Sequence, residues 1–313
     1  MITLIQLEYI IAVDTHRHFV TAAEKCFVTQ PTLSMQLKKM ELELGVSIFD
    51  RSQQPIIPTE IGEKIIEQAR AILAEAKKIE EIVLDFSNTT SGELSIGIIP
   101  SLAPYLLPLF IGRFTKKYPA IKVRLVELLT EEIVDHLKKG LIDVGILVTP
   151  LREKNIIEQP IFYEEMLLYV NKEHPFARQE NVKTSELASP DLWLLSNGHC
   201  FRSQVVNLCS YKANLKEDYH FEYESGSLET IKKLVEIEGG FTLLPELAIA
   251  DINKQSKAVI KHFKVSKPLR EVSFVYTRNY AKKRLLALLE EAIINAIPQK
   301  MRHKERGQIV EWR

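Results

Sequence analysis

A chain of 313 residues with 46% hydrophobic and 26% charged side chains is an ordinary globular mixture, long enough for two or three domains. Lys and Arg number 41 against 41 Asp and Glu, so overall basicity cannot argue for nucleic acid, and three cysteines cannot build a disulfide framework. No apolar run reaches the ~18 residues of a membrane span, and the N-terminus lacks the basic start of a secretory signal; a cytoplasmic chain without a membrane partner is expected.

Residues 1–58 read as short helices. Leu4, Leu7, Ile10 and Ile11 recur at helical spacing, followed by Phe19, Ala22 and Ala23, then Leu33, Leu37 and Met40. The stretch Phe19–Glu41 has the helix, tight turn and helix of a helix-turn-helix, with small Ala22 and Ala23 letting the two helices approach. Thr29, Gln30, Thr32, Ser34 and Gln36 put hydroxyls and amides along the start of the second helix, suited to base edges in a major groove, and Pro31 among them sits where a first helical turn tolerates proline. Lys38, Lys39 and Arg51 suit phosphates. Ser47–Arg51 and Pro55–Pro58 read as two short extended pieces around a polar tip, a β-wing. The charge balance of this domain works against DNA: Arg17, Lys25, Lys38, Lys39 and Arg51 face Glu8, Asp14, Glu24, Glu41, Glu43 and Asp50. A three-helix structural module is the alternative. Cys26, in the turn, reads as a small buried residue.

Residues 59–90 hold one long helix and a linker. Thr59 is the expected N-cap, and Ile65, Ala69, Ile72, Ala76, Ile79, Val83 and Phe86 fall in a strict heptad seam. Packing on its own domain is the plainer reading of a helix ~42 Å long, but so narrow a seam between polar faces favours pairing of two chains. The polar run Ser87–Gly92 reads as the linker that follows.

From Glu93 strands alternate with helices. Strands are predicted at Leu94–Ile98, Ile121–Leu125, Val144–Val148, Met166–Val170, Leu192–Leu195, Phe221–Tyr223, Phe241–Leu244 and Val272–Tyr276. Helices are predicted over Tyr105–Lys117, from Thr130 to Lys139, after Cys200, over Leu228–Ile237 and over Lys282–Ile297. The alternation implies α/β architecture with largely parallel sheets, in two subdomains of about 91–163 with 268–300, and 164–267. The basic tail Lys300–Arg306 reads as a solvated or frayed terminus. His174, before Pro175, reads as a loop or surface residue.

Cys200 follows a predicted strand, in the Gly198-His199-Cys200 loop at a helix start. A helix N-terminus, His199 and Arg202 would all favour its thiolate. If residues 202–209 are helical, Cys200 and Cys209 stand ~12 Å or more apart, whereas a disulfide needs ~4.4–6.8 Å between Cα atoms, so a bond requires unwinding. Eight intervening residues do not match zinc-ligand spacing, and no metal or cofactor is expected. Two buried, inert cysteines are the plainer reading of these residues alone.

The helix-turn-helix, with Glu41-Leu42-Glu43-Leu44-Gly45-Val46-Ser47-Ile48-Phe49-Asp50-Arg51 after it, resembles that of the LysR-type transcriptional regulators. The long helix and Ser227-Leu228-Glu229-Thr230 with Gly239-Gly240-Phe241-Thr242-Leu243-Leu244-Pro245 extend the resemblance over the whole chain. The family implies a periplasmic-binding-protein-like regulatory domain over 91–313, a double-stranded DNA operator, RNA polymerase as partner, and a homodimer or homotetramer. Gly198-His199-Cys200-Phe201-Arg202 with Cys209 resembles the redox centre of the family's peroxide-sensing members. That implies Cys200 as peroxidatic and Cys209 as resolving residue, joined by a disulfide, with His199, Arg202, Ser101 and Thr130 around the peroxide and a cellular dithiol as reductant. Such a chain is a regulator of oxidative-stress genes, not an enzyme. Ser101 replaces the threonine of those members, and Ser203 their aspartate; His220, whose surroundings are spaced differently, reads as structural. A LysR-type regulator responding to a small metabolite is the alternative, with Ser101 and Thr130 binding an anion. A thiol peroxidase with a structural N-terminal domain is a third reading.

Overall fold

The structure, a computed structural model, describes residues 2–86, 91–180, 182–209, 226–250, 252, 255–263, 267–278 and 282–312. Two compact units emerge, one built mainly on Met1–Thr90 and the other on Ser91–Leu137, Ile142–Arg278 and Arg284–Arg313.

The first unit carries helices α1 (Leu4–His16), α2 (Phe19–Lys25) and α3 (Gln30–Leu44), a two-stranded antiparallel wing of β1 (Phe49–Asp50) and β2 (Ile57–Pro58), and the long helix α4 (Glu60–Phe86). The caps explain the boundaries. Thr3 and Gln6 cap α1 reciprocally, the Thr29 hydroxyl accepts from Thr32 N at α3, and Gly45 ends α3 with φ of 69°. Thr59 caps α4 by accepting from Gly62 N at 3.0 Å. Gly62 is required there, since a Cβ would stand 2.0 Å from the Ile48 carbonyl oxygen. Leu7, Ile10, Ala22, Ala23, Leu33, Leu37 and Met40 form the core, as their spacing predicts, with Val13 added and Leu4 left exposed. Cys26 is only half-buried, because its helix ends at that residue. Buried Asp14 takes Arg17 at 2.7 Å and Arg70 at 2.6 Å, tying α1 to α4.

The heptad seam divides. Ile65 and Ala69 pack into the unit's own core, while Ile72 and Ile79 stay 40% and 65% exposed. The side chains of Val83 and Phe86, and Ser87–Thr90 of the linker, lie outside the described residues.

The second unit is an eight-stranded sheet flanked by helices. Its elements in chain order are β3 (Gly92–Ile98), α5 (Ala103–Lys117), β4 (Ile121–Glu127), α6 (Thr130–Lys139), β5 (Val144–Thr149), β6 (Ile156–Asn171), α7 (Pro175–Arg178), α8 (Cys200–Cys209), α9 (Leu228–Glu238), β7 (Phe241–Pro245), β8 (Ala258–Lys261), β9 (Pro268–Thr277), α10 (Lys283–Ala296) and β10 (Gln308–Ile309). The strand order is β4-β3-β5-β9-β6-β7, with β10 on β9 and β8 on β6. Only part of the sheet is parallel. β4, β3 and β5 run together, but β9 is antiparallel to β5 and β6, and β6 is antiparallel to β7 and β8. The expectation of largely parallel sheets fails because the chain crosses the sheet outward along β6 and returns along β9, and opposite passages pair antiparallel.

β6 starts ten residues before the predicted Met166. Ile156–Glu165 pairs with β9, and Met166–Asn171 pairs with β7 and β8. A register shift between Pro160 and Phe162 and the polar run Tyr163-Glu164-Glu165 broke the alternation that marks a strand. The predicted strand Leu192–Leu195 is absent as such. Leu192 makes a single bridge to Phe241, and Trp193 N donates to the Phe241 carbonyl. The predicted strand Phe221–Tyr223 and His220 lie outside the described residues. His174 is a loop residue, as expected, but not a surface one: in the turn before α7 it caps that helix, accepting from Phe176 N, and packs on the Phe176 and Phe241 rings.

The tail is not frayed. Gln299–Arg302 and Lys304–Arg306 form two short turns, Met301 is buried, and Arg306 and Lys300 both pair with the buried Glu246 carboxylate at 2.9 and 2.5 Å. A carboxylate out of water requires cations, and the tail supplies them.

Ile72→Glu with Ile79→Glu removes apolar surface worth about 1.5–3 kcal/mol per side chain if it is covered by a second α4. Self-association weakened at least tenfold with unchanged helix content is expected, read by sedimentation velocity and circular dichroism.

Candidate functional site

Three sequence-predicted residues converge at one buried point of the second unit. Cys200 is the first residue of α8, Thr130 the first of α6, and Ser101 lies in the turn ahead of α5; all three are buried. Gly198, with φ of 92°, turns the chain into α8. It packs so closely on Leu129, beside Thr130, that an added Cβ would meet the Leu129 side chain at 3.3 Å.

The cation at this point is Arg270, on the returning strand β9. Arg270 is 0% exposed. Its Nη1 donates to Ser101 Oγ at 3.2 Å, and its guanidinium lies 5.1 Å from the centre of the Phe201 ring. Its Nη2 stands 2.9 Å from Oε1 of Glu164, also 0% exposed, but off hydrogen-bond alignment, so the two form an ion pair without a hydrogen bond. Oε2 of Glu164 accepts from Leu247 N at 3.3 Å. Burial pushes the Glu164 carboxyl up, against the pull of Arg270. Nε and Nη2 of Arg270 and Oγ1 of Thr130 are buried without hydrogen-bond partners among the described residues.

These groups set the state of Cys200. Burial pushes its thiol up, while the Arg270 charge and then the Thr130 hydroxyl pull it down. Thr130 therefore acts on the sulfur at short range while remaining outside hydrogen-bond alignment with it. His199 is buried beside Cys200, and burial pushes its imidazole below the ordinary value, toward the neutral form. Arg202 does not join the group; its Nη1 donates to the Leu195 carbonyl at 2.8 Å and fastens the entry to α8. Arg270, which escaped the sequence reading, replaces both as the source of positive charge. Its only sequence signal was an arginine, with Glu271 beside it, ahead of the apolar stretch of β9.

Cys209 ends the same helix, in the apolar cluster of Phe201, Val205, Leu228 and Ile231. Burial pushes its thiol up to about 12. Nine helical steps separate the two Cα atoms by about 13 Å of helix rise, and both thiols are free.

In the first unit, the N-cap Thr29 and Gln30, Pro31 and Lys38 of α3 are exposed, and Thr32, Ser34 and Gln36 are half-buried. Gln36 also takes a hydrogen bond from Gln6, and Arg51 is held by Glu41 at 2.7 Å over the Phe19 ring. No group of metal-ligating residues and no membrane-crossing helix occurs among the described residues.

Residues 4–63 match the lysR family of bacterial regulatory helix-turn-helix proteins, and residues 87–296 match the LysR substrate binding domain. The DNA-binding transcriptional dual regulator OxyR of Escherichia coli K12 is 38% identical over 270 residues, 86% of this chain and 88% of that protein. The hydrogen peroxide-inducible genes activator of Haemophilus influenzae is 35% identical, over 86% of this chain and 89% of its own. Among solved structures, a full-length OxyR variant from Pseudomonas aeruginosa superposes with TM-score 0.80 at 31% identity, over 95% of this chain and 99% of that one. An H2O2-bound OxyR mutant of Corynebacterium glutamicum gives 0.61 at 30% identity, over 94% and 92%.

Arg270→Gln removes the charge that opposes burial, so the Cys200 thiol moves further up. The pH profile of Cys200 alkylation shifts to higher pH and the rate at pH 7 falls. Cys209, whose folded thiol titrates above its ordinary 9.0, contributes stability that is present below pH 9 and lost as pH rises toward 12. Denaturant midpoints of the reduced protein therefore decline across that window, and decline less in Cys209→Ser.

Proposed function

The chain belongs to the LysR family of helix-turn-helix transcriptional regulators, and from that premise we propose that it senses hydrogen peroxide through a reversible Cys200–Cys209 disulfide and controls oxidative-stress genes. The observation that carries the reading is the set of buried, incompletely bonded donors around the Cys200 sulfur: Thr130 Oγ1 and the Arg270 guanidinium, with Ser101 beside them. Donors held in a dry site without partners are arranged for charge that develops during a reaction.

The Cys200 thiolate attacks one peroxide oxygen. An S–O bond forms, the O–O bond breaks, and the departing hydroxide takes a proton to become water. Arg270 and Thr130 hold the peroxide and offset the negative charge; Ser101, fixed by Arg270, keeps the hydroxyl needed for polarisation. His199 adds a neutral polar wall, and Arg202 positions the loop. Sulfur loses two electrons to the peroxide and becomes a sulfenic acid. The Cys209 thiolate then displaces hydroxide from that sulfur, giving the disulfide and a second water. A cellular dithiol returns both thiols by exchange. One peroxide is consumed per switching event, so the chain is a sensor in the cytoplasm and not an enzyme.

The switch requires α8 to unwind, since its ends are too far apart for a disulfide. Remodelling there changes packing between subunits of a dimer or tetramer and the spacing of the DNA half-sites they hold. Thr29, Gln30, Pro31, Thr32, Ser34 and Gln36 read bases of the operator; Lys38 and Arg51 contact phosphates, and RNA polymerase receives the signal. The regulatory domain divides at about 91–163 with 268–300, and 164–267. A metabolite inducer at Ser101 and Thr130 is the competing reading, and it predicts that Cys200→Ser still responds.

Intact mass with alkylation after near-stoichiometric peroxide tests the proposal. Wild type loses two alkylatable thiols and yields a Cys200–Cys209 linked peptide; Cys209→Ser accumulates a trappable sulfenic acid at Cys200; Cys200→Ser does neither. Retention of Cys200 alkylation in wild type sinks the peroxide reading. Ser101→Ala slows the first step about tenfold or more if its hydroxyl takes part.

A further inference from the structure

The last residues of the chain run as a strap between the two halves of the redox site. On one side, Gln308 and Ile309 pair parallel with Pro268 and Leu269, directly before Arg270. Gln308 N donates to the Lys267 carbonyl and Val310 N to the Leu269 carbonyl, both at 2.9 Å. On the other side, α8 grips the same strap: Gln204 Nε2 donates to the Val310 carbonyl at 2.7 Å and Asn207 Nδ2 to the Glu311 carbonyl at 3.0 Å. Gln204 is fully buried, Val310 packs on the core that holds Cys209, and Trp312 is buried beyond it. The close approach depends on Gly307, where a Cβ would stand 2.1 Å from the Lys267 carbonyl oxygen. The LysR substrate-binding match ends at residue 296, so the strap lies outside the part of the chain that the family match covers.

We propose that Gln204 and Asn207 are positioning residues that clip this strap to α8, holding the helix in its reduced form beside Arg270, and that disulfide closure releases the strap. The inference rests on the redox reading above. Its physical basis is the helix itself. Gln204 and Asn207 lie three residues apart between the two cysteines, so they present their amides to the strap together only while residues 200–209 are helical. The disulfide needs that helix opened, so the clip and the disulfide exclude one another. The strap stabilises the dithiol and not the disulfide, and it slows the resolving step without touching the attack on peroxide.

The test uses the full-length reduced protein as wild type, Gly307→Ala, Asn207→Ala and the volume-matched Gln204→Met. After hydrogen peroxide, Cys200 consumption, sulfenic acid and linked peptide are quantified by quenched alkylation and mass spectrometry. In wild type, hydrogen exchange at the Gln308 and Val310 amides rises at least tenfold on oxidation. In the variants Cys200 is consumed at the wild-type rate while disulfide closure is about tenfold faster. Their dithiol–disulfide equilibrium in a dithiothreitol buffer shifts about tenfold toward disulfide, about 30 mV more negative. Gly307→Ala and Asn207→Ala leave the core composition intact, so a folding defect in Gln204→Met does not decide the matter. A wild-type protein that forms the linked peptide while both amides keep their protection, with variants closing at the wild-type rate, overturns the strap. Absence of any linked peptide in wild type overturns the peroxide reading itself and the strap's role with it.

Discussion

A guanidinium with no exposed surface has to be held by something, and Arg270 is held from three directions: the Glu164 carboxylate, the Ser101 hydroxyl and the face of Phe201. Each comes from a different part of the second unit. Glu164 lies on outgoing strand β6, Ser101 in the turn before α5, Phe201 on α8, and Arg270 on returning strand β9. A buried charge is strongly destabilised when its partner is removed, by about 3–5 kcal/mol, so these segments are mutually constrained. The alignment of β6 with β9, where Glu164 faces Arg270 in register, satisfies that constraint. The site near Cys200 is thus a consequence of how the fold neutralises one charge.

The same charge leaves Cys200 between two opposing influences. Burial alone makes a thiol inert, and Cys209, with only burial acting on it, is held up to about 12. Cys200 is equally buried but has Arg270 and Thr130 against it. The two cysteines of one helix are chemically distinct before any oxidant arrives. A helix N-terminus strengthens the difference, because its unpaired amides favour an anion at Cys200, while the C-terminal end offers carbonyls to Cys209. The order of events in the proposed switch, attack at Cys200 and resolution at Cys209, follows from that asymmetry.

Much of this was legible from residue patterns, and the illegible part has a common cause. Helices with a clear apolar period, such as Tyr105–Lys117 and Leu228–Ile237, needed only small boundary changes. Cys200 could be singled out because it sits in a glycine loop at a helix start, where local sequence marks the position, whereas Ser101 and Thr130 come through the family resemblance. Arg270 and Glu164 could not be singled out, because their meaning lies in a pairing across more than a hundred residues, and each stands beside a second charged residue that reads as an exposed strand position. The same holds for the tail. Lys300 and Arg306 read as solvated charge until Glu246 is seen to need them. Arg202 failed for the opposite reason: proximity in sequence placed it at the thiol, while the helix turns its side chain back to the Leu195 carbonyl. Periodic segments reveal themselves locally; buried charges reveal themselves only with their partners.

A thiol switch must be stable enough to hold the reduced fold and weak enough to open when one bond changes. Helix α8 meets the first requirement through packing, with Phe201, Val205 and Cys209 in the core. Had that packing been its only support, oxidation would have to extract apolar surface with nothing in the polar contacts to signal the change. Instead its middle carries two amides committed to the carbonyls of the chain terminus. Hydrogen bonds to a short terminal segment contribute about 1 kcal/mol each, and water can replace them on release. Apolar burial supplies most of the stability of the helix, while the contacts that water can substitute add a modest further hold that is released when it opens. In the proposed switch, this division is what would let a single disulfide, itself worth only a few kcal/mol, decide between two conformations of one segment.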